Sequence, residues 1–336
     1  MDLPTAPEVV QALKRRAEGD LGYPTWLESP QFGPLAEAFT ERMAARYAWR
    51  PDPGHVRGYT DLNQALQVLL HVWTRPGDGV AVHTPAYPPF LGTLDSMDRP
   101  LRPIQLHPDG DSWRFEVPDL SGCRVLLLVN PQNPTGRVFT RQELEGLAEH
   151  VERHDLIVIS DEIHADLVYA PHEHIPFARI LPGRTVTLTS ATKAFNLGGV
   201  RCSVAHVGSP DVRRALDAQP PFVYGSANLF GVEATVAAWR HGDAWLEETR
   251  TLLDRNRKTV ADRLPGSIGY RMPQATYLAW LDYGRPGMAG VLEREARVLL
   301  SDGATFGPGG EQHVRLNFAT TEAILGEILD RLRGQA

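Results

Sequence analysis

Four short apolar runs, separated by helix-length stretches and followed by polar turns, constrain the fold more than anything else in the chain. They are "GVAVHTP" (79–85), "RVLLLVNP" (124–131), "LIVISDE" (156–162) and "TVTLTS" (185–190). Runs this short and this rich in Val, Ile, Leu and Thr read as buried strands. Between the second and third lies "RQELEGLAEHVERH" (141–154), whose apolar residues recur at the spacing of one helix face. Strand and helix therefore alternate, and the expected class is α/β: a large domain with a mostly parallel sheet flanked by helices.

From Trp245 the pattern changes. A long charged amphipathic helix, "WLEETRTLLDRNRKTVADRL", is followed by the strand-like "TYLAWLDY", a helix around "GVLEREARVLL" and a final helix, "TEAILGEILDRLRG". This reads as a smaller α/β domain. With 336 residues and 42% hydrophobic content the chain can fill two cores. The expected division is a large domain over 24–243 and a small domain made of 1–23 and 244–336.

Charge narrows the function. Thirty-four Lys and Arg against 41 Asp and Glu give a net −7, with both signs dispersed rather than blocked into tails, so nothing points to nucleic acid or a membrane surface. No apolar run approaches the ~18 residues of a membrane span, and the N-terminus lacks the pattern of a secretory signal. Cys123 and Cys202 form neither a disulfide framework nor a metal-like cluster, which fits a reducing cytoplasm. No metal is expected.

The unusual polar residues fall just past strand ends: Asn133 after the second run, Asp161 and His164 after the third, Ser190 and Lys193 after the fourth. In an open parallel sheet that edge binds ligands, because strand ends and helix N-termini converge there. A single lysine opposite a carboxylate is usually an ion pair. The group as a whole fits a narrower chemistry. Pyridoxal phosphate needs a lysine amine for its Schiff base, a carboxylate at its ring nitrogen and donors for its phosphate.

The stretches "NPQNPTG", "SDEIHADLVY", "SATKAFNLGGVR" and "HVRLNFA" resemble those of fold-type I pyridoxal-phosphate enzymes, over nearly the whole chain. Within the class I/II aminotransferase superfamily, "SDEIHADLVY" followed by "HEHIPFA", together with "TYLAWLDY", is similar to the cystathionine β-lyase and cystalysin branch (MalY/PatB type). The resemblance implies that Lys193 carries the Schiff base and moves the substrate's α-proton, and that Asp161 pairs with the ring nitrogen. It places Asn133 at the ring hydroxyl oxygen and near the substrate, His164 beside the ring or behind Asp161, and Tyr87 of "TPAYPPF" on the ring face. Ser190 and Arg201 would reach the phosphate, with backbone N–H groups at Asp61 and Leu62, where "YTDLNQALQVLL" supplies a helix start. That loop departs from the glycine-rich versions common in the superfamily, having only Gly58 three residues earlier. Arg315 of "HVRLNF" would grip the substrate's α-carboxylate with two parallel hydrogen bonds. Tyr23 of "LGYPTW" resembles a tyrosine that crosses a dimer interface to the neighbour's phosphate, which implies a homodimer with a shared active site. Relatives are expected to carry a further stretch ahead of the segment matching "MDLPTAPEVV", so this chain is either N-terminally shortened or short by nature.

The implied reaction is C–S β-elimination from cystathionine or a related cysteine S-conjugate, giving thiol, pyruvate and ammonia. An aminotransferase acting on an amino acid and a 2-oxo acid uses the same residues and is the alternative. A catalytically idle partner-binding protein is the third reading, and its signature, loss of Lys193 or Asp161, is missing.

Overall fold

The computed structural model describes residues 1–28, 33–220 and 223–334. Its strands in chain order are β1 (Val56–Tyr59), β2 (Gly79–Thr84), β3 (Leu101–Gln105), β4 (His107–Asp109), β5 (Ser112–Arg114), β6 (Cys123–Val129) and β7 (Ile157–Asp161). They continue with β8 (Thr185–Thr189), β9 (Ser203–Val207), β10 (Gly269–Tyr270), β11 (Leu278–Asp282), β12 (Ser301–Asp302) and β13 (His313–Asn317). Seven of these form one sheet in the order β1-β9-β8-β7-β6-β2-β3. The pairs joining β3, β2, β6, β7 and β8 are parallel, whereas β9 and β1 are antiparallel to their neighbours. The four apolar runs are thus contiguous parallel strands, and the expected α/β class holds.

Burial on both faces explains why those runs carry so little polar sequence. Along β6, Val125, Leu127 and Val129 face the helices Leu62–Trp73 and Pro88–Ser96, while Leu126 and Leu128 face the helix Arg141–Arg153. That last helix starts where the sequence can close a capping box: Thr140 accepts from the Glu143 N–H and Glu143 accepts from the Thr140 N–H.

β10, β11, β13 and β12 make a second, antiparallel sheet. The 21-residue helix Asp243–Arg263 buries Leu246, Leu253 and Val260 in the core that also takes Leu325, Leu329 and Leu332 of the terminal helix Glu322–Arg333. The N-terminal helix Pro7–Ala17 lies along the helix Leu229–His241 and is fastened to it by Arg16 and Glu233.

Direction of the strands decides where the site forms. β2, β6, β7 and β8 all end at one edge of the large sheet, and the antiparallel register brings Tyr59 and Ser203 to the same edge. The segments at 60–63, 84–87, 130–136, 161–164, 190–193 and 201 therefore converge there.

Candidate active site

The turn after β6 is fixed by its own side chains. Gln132 donates from Nε2 to the Pro85 carbonyl at 2.6 Å, and its Oε1 accepts from the Thr135 hydroxyl (2.6 Å) and N–H (2.9 Å). Gly136, at φ 71°, then passes its carbonyl to the N–H groups of Gln274 (3.0 Å) and Ala275 (2.9 Å). The loop bearing Asn133 is thereby tied to β2 on one side and to the residues before β11 on the other.

β7 delivers two adjacent carboxyls to opposite fates. Glu162 points into protein, accepting from the Ser160 hydroxyl (2.8 Å) and the Phe177 N–H (3.0 Å) and meeting His174 Nε2 at 2.9 Å. Asp161 lines the cleft with only the Ile163 N–H (3.0 Å) as a hydrogen-bond donor among the described residues. Burial pushes its carboxyl up to about 7, against the opposing pull of that N–H and of Lys193. His164, edge-on to Tyr277 at 5.9 Å, is held neutral: burial, with Lys193 and Arg315 adding to it, lowers it to about 3. Its Nδ1 is buried without a partner among the described residues.

Past β8, Ser190 donates to the Cys202 carbonyl at 2.6 Å and accepts from the Thr192 N–H at 3.1 Å, which shapes the turn carrying Lys193. Burial lowers the Lys193 amine from its ordinary value; Asp161 opposes this, while Arg315 and Arg201 add to it. Desolvation among cations is what turns a lysine into a nucleophile or base.

At the cleft's far end the helix Leu62–Trp73 begins. Asp61 is its N-cap, accepting from the Gln64 N–H at 2.9 Å, and the N–H groups of Leu62 and Asn63 have no partner among the described residues. Arg201, in left-handed backbone at φ 51°, pairs with the Asp61 carboxylate. Arg315, on β13, is clamped on three sides. Its Nη1 donates to Asn133 Oδ1 (3.0 Å), its Nη2 donates to the Ser301 hydroxyl (3.3 Å), and its guanidinium lies 4.8 Å from the Phe306 ring centre. Tyr87, edge-on to Phe90 at 5.3 Å, lines the same cleft.

One cleft of about 330 Å³ collects Lys193, Asp161, Asn133, His164, Tyr87, Ser190, Arg201, Asp61, Leu62 and Arg315. Tyr23 is apart from it, 93% exposed. Sequence reasoning missed Thr60, Asn63, Tyr277, Ser301 and Asn317, which also line the cleft. Asn317 was within reach, since it stands two residues beyond Arg315 on a strand and so on the same face. Ser301 was not, because it joins Arg315 only through the β12–β13 register.

The set fits pyridoxal phosphate on three observations. A buried carboxyl that its surroundings drive toward protonation calls for a cationic partner, which a protonated pyridine nitrogen provides. A desolvated amine stands in the same cleft. At its end, an arginine and unpaired helix N–H groups form an anion site, where a carboxylate, that of Asp61, already sits. The volume is within the range of small-molecule sites.

Comparison with known proteins agrees with this geometry. Residues 1–332 match the family described as aminotransferase class I and II. The chain is 32% identical over 338 residues to Protein MalY of Escherichia coli, covering 94% of this chain and 85% of that one. It is 35% identical over 374 residues to a putative cystathionine beta-lyase of Mycobacterium tuberculosis, covering 99% and 89%. The PLP-bound C-S lyase from Staphylococcus hominis superposes with a TM-score of 0.92 at 27% identity, over 99% of this chain and 89% of that one.

Proposed function

This chain belongs to the aminotransferase class I and II family, and we propose that it works as a pyridoxal-5′-phosphate-dependent carbon–sulfur β-lyase. Its substrate on this reading is cystathionine or a related cysteine S-conjugate, which with one water yields a thiol, pyruvate and ammonia. The observation that carries the proposal is a single cleft holding a desolvated lysine, a buried carboxyl that makes no ion-pair contact among the described residues and a clamped arginine. The names of two of these relatives, cystathionine beta-lyase and C-S lyase, favour elimination.

Lys193 would hold the cofactor's aldehyde carbon, Asp161 its ring nitrogen, Asn133 its ring hydroxyl oxygen, with His164 behind and Tyr87 across the ring face. Ser190, Arg201 and the N–H groups at Asp61 and Leu62 would hold the phosphate. When bound, the cofactor supplies an electron sink that lowers the cost of removing a proton from the substrate's Cα. Arg315 presents its guanidinium to the α-carboxylate, already oriented by Asn133, Ser301 and Phe306. Lys193 Nζ, kept from its ordinary basicity by burial, takes the proton from Cα. Asp161, beside the positive charge it needs, remains a carboxylate and stabilises that charge.

A homodimer with a shared site goes with this reading; its support is the exposure of Tyr23 (93%) and of nearby Leu21 (55%). So does a cytoplasmic location, given two buried free cysteines and, among the described residues, no helix long and apolar enough to cross a membrane. The division into a large domain (24–243) and a small one (1–23 and 244–336) is supported by the two sheets, which fall within 56–207 and 269–317.

The test is purified protein with cystathionine and pyridoxal phosphate but no keto acid. Pyruvate and thiol released in equal amounts over many turnovers establish the β-lyase. A single turnover that resumes only when a keto acid is added makes the protein an aminotransferase instead.

A further inference from the structure

The end of the cleft that would take the cofactor's phosphate contains a feature a phosphate site does not need. The Asp61 carboxylate spends Oδ1 on the helix-start N–H of Gln64 and Oδ2 on Arg201, and the Thr60 hydroxyl lies 3.2 Å from that second oxygen. The arginine best suited to a phosphate is thus already paired with an anion of the protein's own, which also takes one N–H of the helix start and leaves those of Leu62 and Asn63 without a partner among the described residues. The Asp61 side chain is only partly exposed, so water does not screen it fully.

Resting on the reading of this cleft as a cofactor site, we propose that the Asp61 carboxylate is an internal competitor for the cofactor's phosphate. With the cofactor away, Asp61 neutralises Arg201 and keeps the cradle folded. When a phosphate arrives, Arg201 turns to it, and the carboxylate is left beside a dianion at the same helix end. Asp61 therefore sets how tightly the cofactor is held and how readily it exchanges. Its backbone N–H and its side chain act in opposite directions: the first attracts the phosphate and the second repels it.

Asn is as good a helix N-cap as Asp and carries no charge, so Asp61→Asn separates the two roles. Asp61→Ser, a smaller uncharged cap, repeats the test should the amide disturb the loop. Cofactor-free full-length protein is titrated with pyridoxal phosphate and, separately, with pyridoxal, which lacks the phosphate. Both variants are expected to bind pyridoxal phosphate about tenfold more tightly than the wild type, in keeping with the loss of one like charge at close range, and to bind pyridoxal unchanged. Melting temperatures give a second readout. The variants melt below the wild type without cofactor, having left Arg201 unpaired, and gain more on adding pyridoxal phosphate. Equal or weaker binding of pyridoxal phosphate by both variants overturns the proposal, as does an equal gain for pyridoxal. Wild-type protein that binds neither compound overturns the functional reading, and this inference with it.

Discussion

Gly136→Ala is expected to damage the fold and the site together. The residue sits at φ 71°, and a Cβ placed there would come within 2.3 Å of Pro273 Cβ, 2.9 Å of the Ala275 carbonyl oxygen and 3.1 Å of Pro273 Cα. Left-handed backbone costs an L-residue about 1–2 kcal/mol, and forcing a methyl into a filled space costs about 1–3 kcal/mol more. The loop has little freedom to escape. Its Gly136 N–H is bonded to Gln132 at 2.8 Å, and its carbonyl takes two N–H groups from residues 274 and 275. Moving it away trades the clash for lost hydrogen bonds at roughly 1 kcal/mol each. The expected loss is therefore about 2–5 kcal/mol in unfolding free energy by urea titration. Asn133 lies in the same loop and orients Arg315, so KM for the sulfur substrate should also rise, by about tenfold. A variant within about 0.5 kcal/mol of the wild type, the range of neutral surface changes, would refute the argument that this turn is sterically locked.

Lys193→Ala should abolish turnover and let dialysis strip the cofactor; turnover that survives removes Lys193 from the mechanism. Arg315→Lys keeps the charge but not the fork that reaches both Asn133 and Ser301, so kcat/KM should fall by about 10–100-fold, chiefly through KM; an unchanged KM would place the carboxylate elsewhere. His83 is buried between Phe115 (4.7 Å) and Phe139 (4.8 Å), with both ring nitrogens unpartnered among the described residues. Burial, then Arg137, lowers it to about 3. The unfolded chain therefore binds the extra proton below about pH 6.5, and stability is lost as pH falls from there toward 3, at about 1.4 kcal/mol per unit. His83→Phe should accordingly stabilise the protein by about 2 kcal/mol more at pH 5 than at pH 7.5, and an equal effect at both would refute the assignment.

The sheet was legible because burial leaves no choice of residue. A strand covered on both faces admits few polar side chains, so "RVLLLVNP" and "LIVISDE" stand out in the sequence, and the polar residues ending them mark the ligand edge. The two antiparallel strands at the far side were less visible. β1, "VRGY", is four residues long with no alternation, and it is a strand only because β9 offers it a ladder. Ser301 escaped for a related reason, since its two-residue strand is defined by β13.

Residue types are legible, but their allegiances are not. Asp161 and Glu162 are adjacent carboxylic acids, the last residue of β7 and the first beyond it, and nothing in their side chains says which belongs to the cleft. Strand alternation sends them to opposite faces. What decides between the faces is the company found there. Ser160, Phe177 and His174 consume Glu162 on one side, and on the other Asp161 is left with one backbone donor and the charge of Lys193. Two of those three partners of Glu162 come from the "HEHIPFA" stretch, so the motif that marked the branch in sequence holds the neighbouring acid out of the cleft. A second free carboxylate there would compete with Asp161 for the same positive charge, and Glu162 is prevented from doing so by hydrogen bonds that only the folded chain can make.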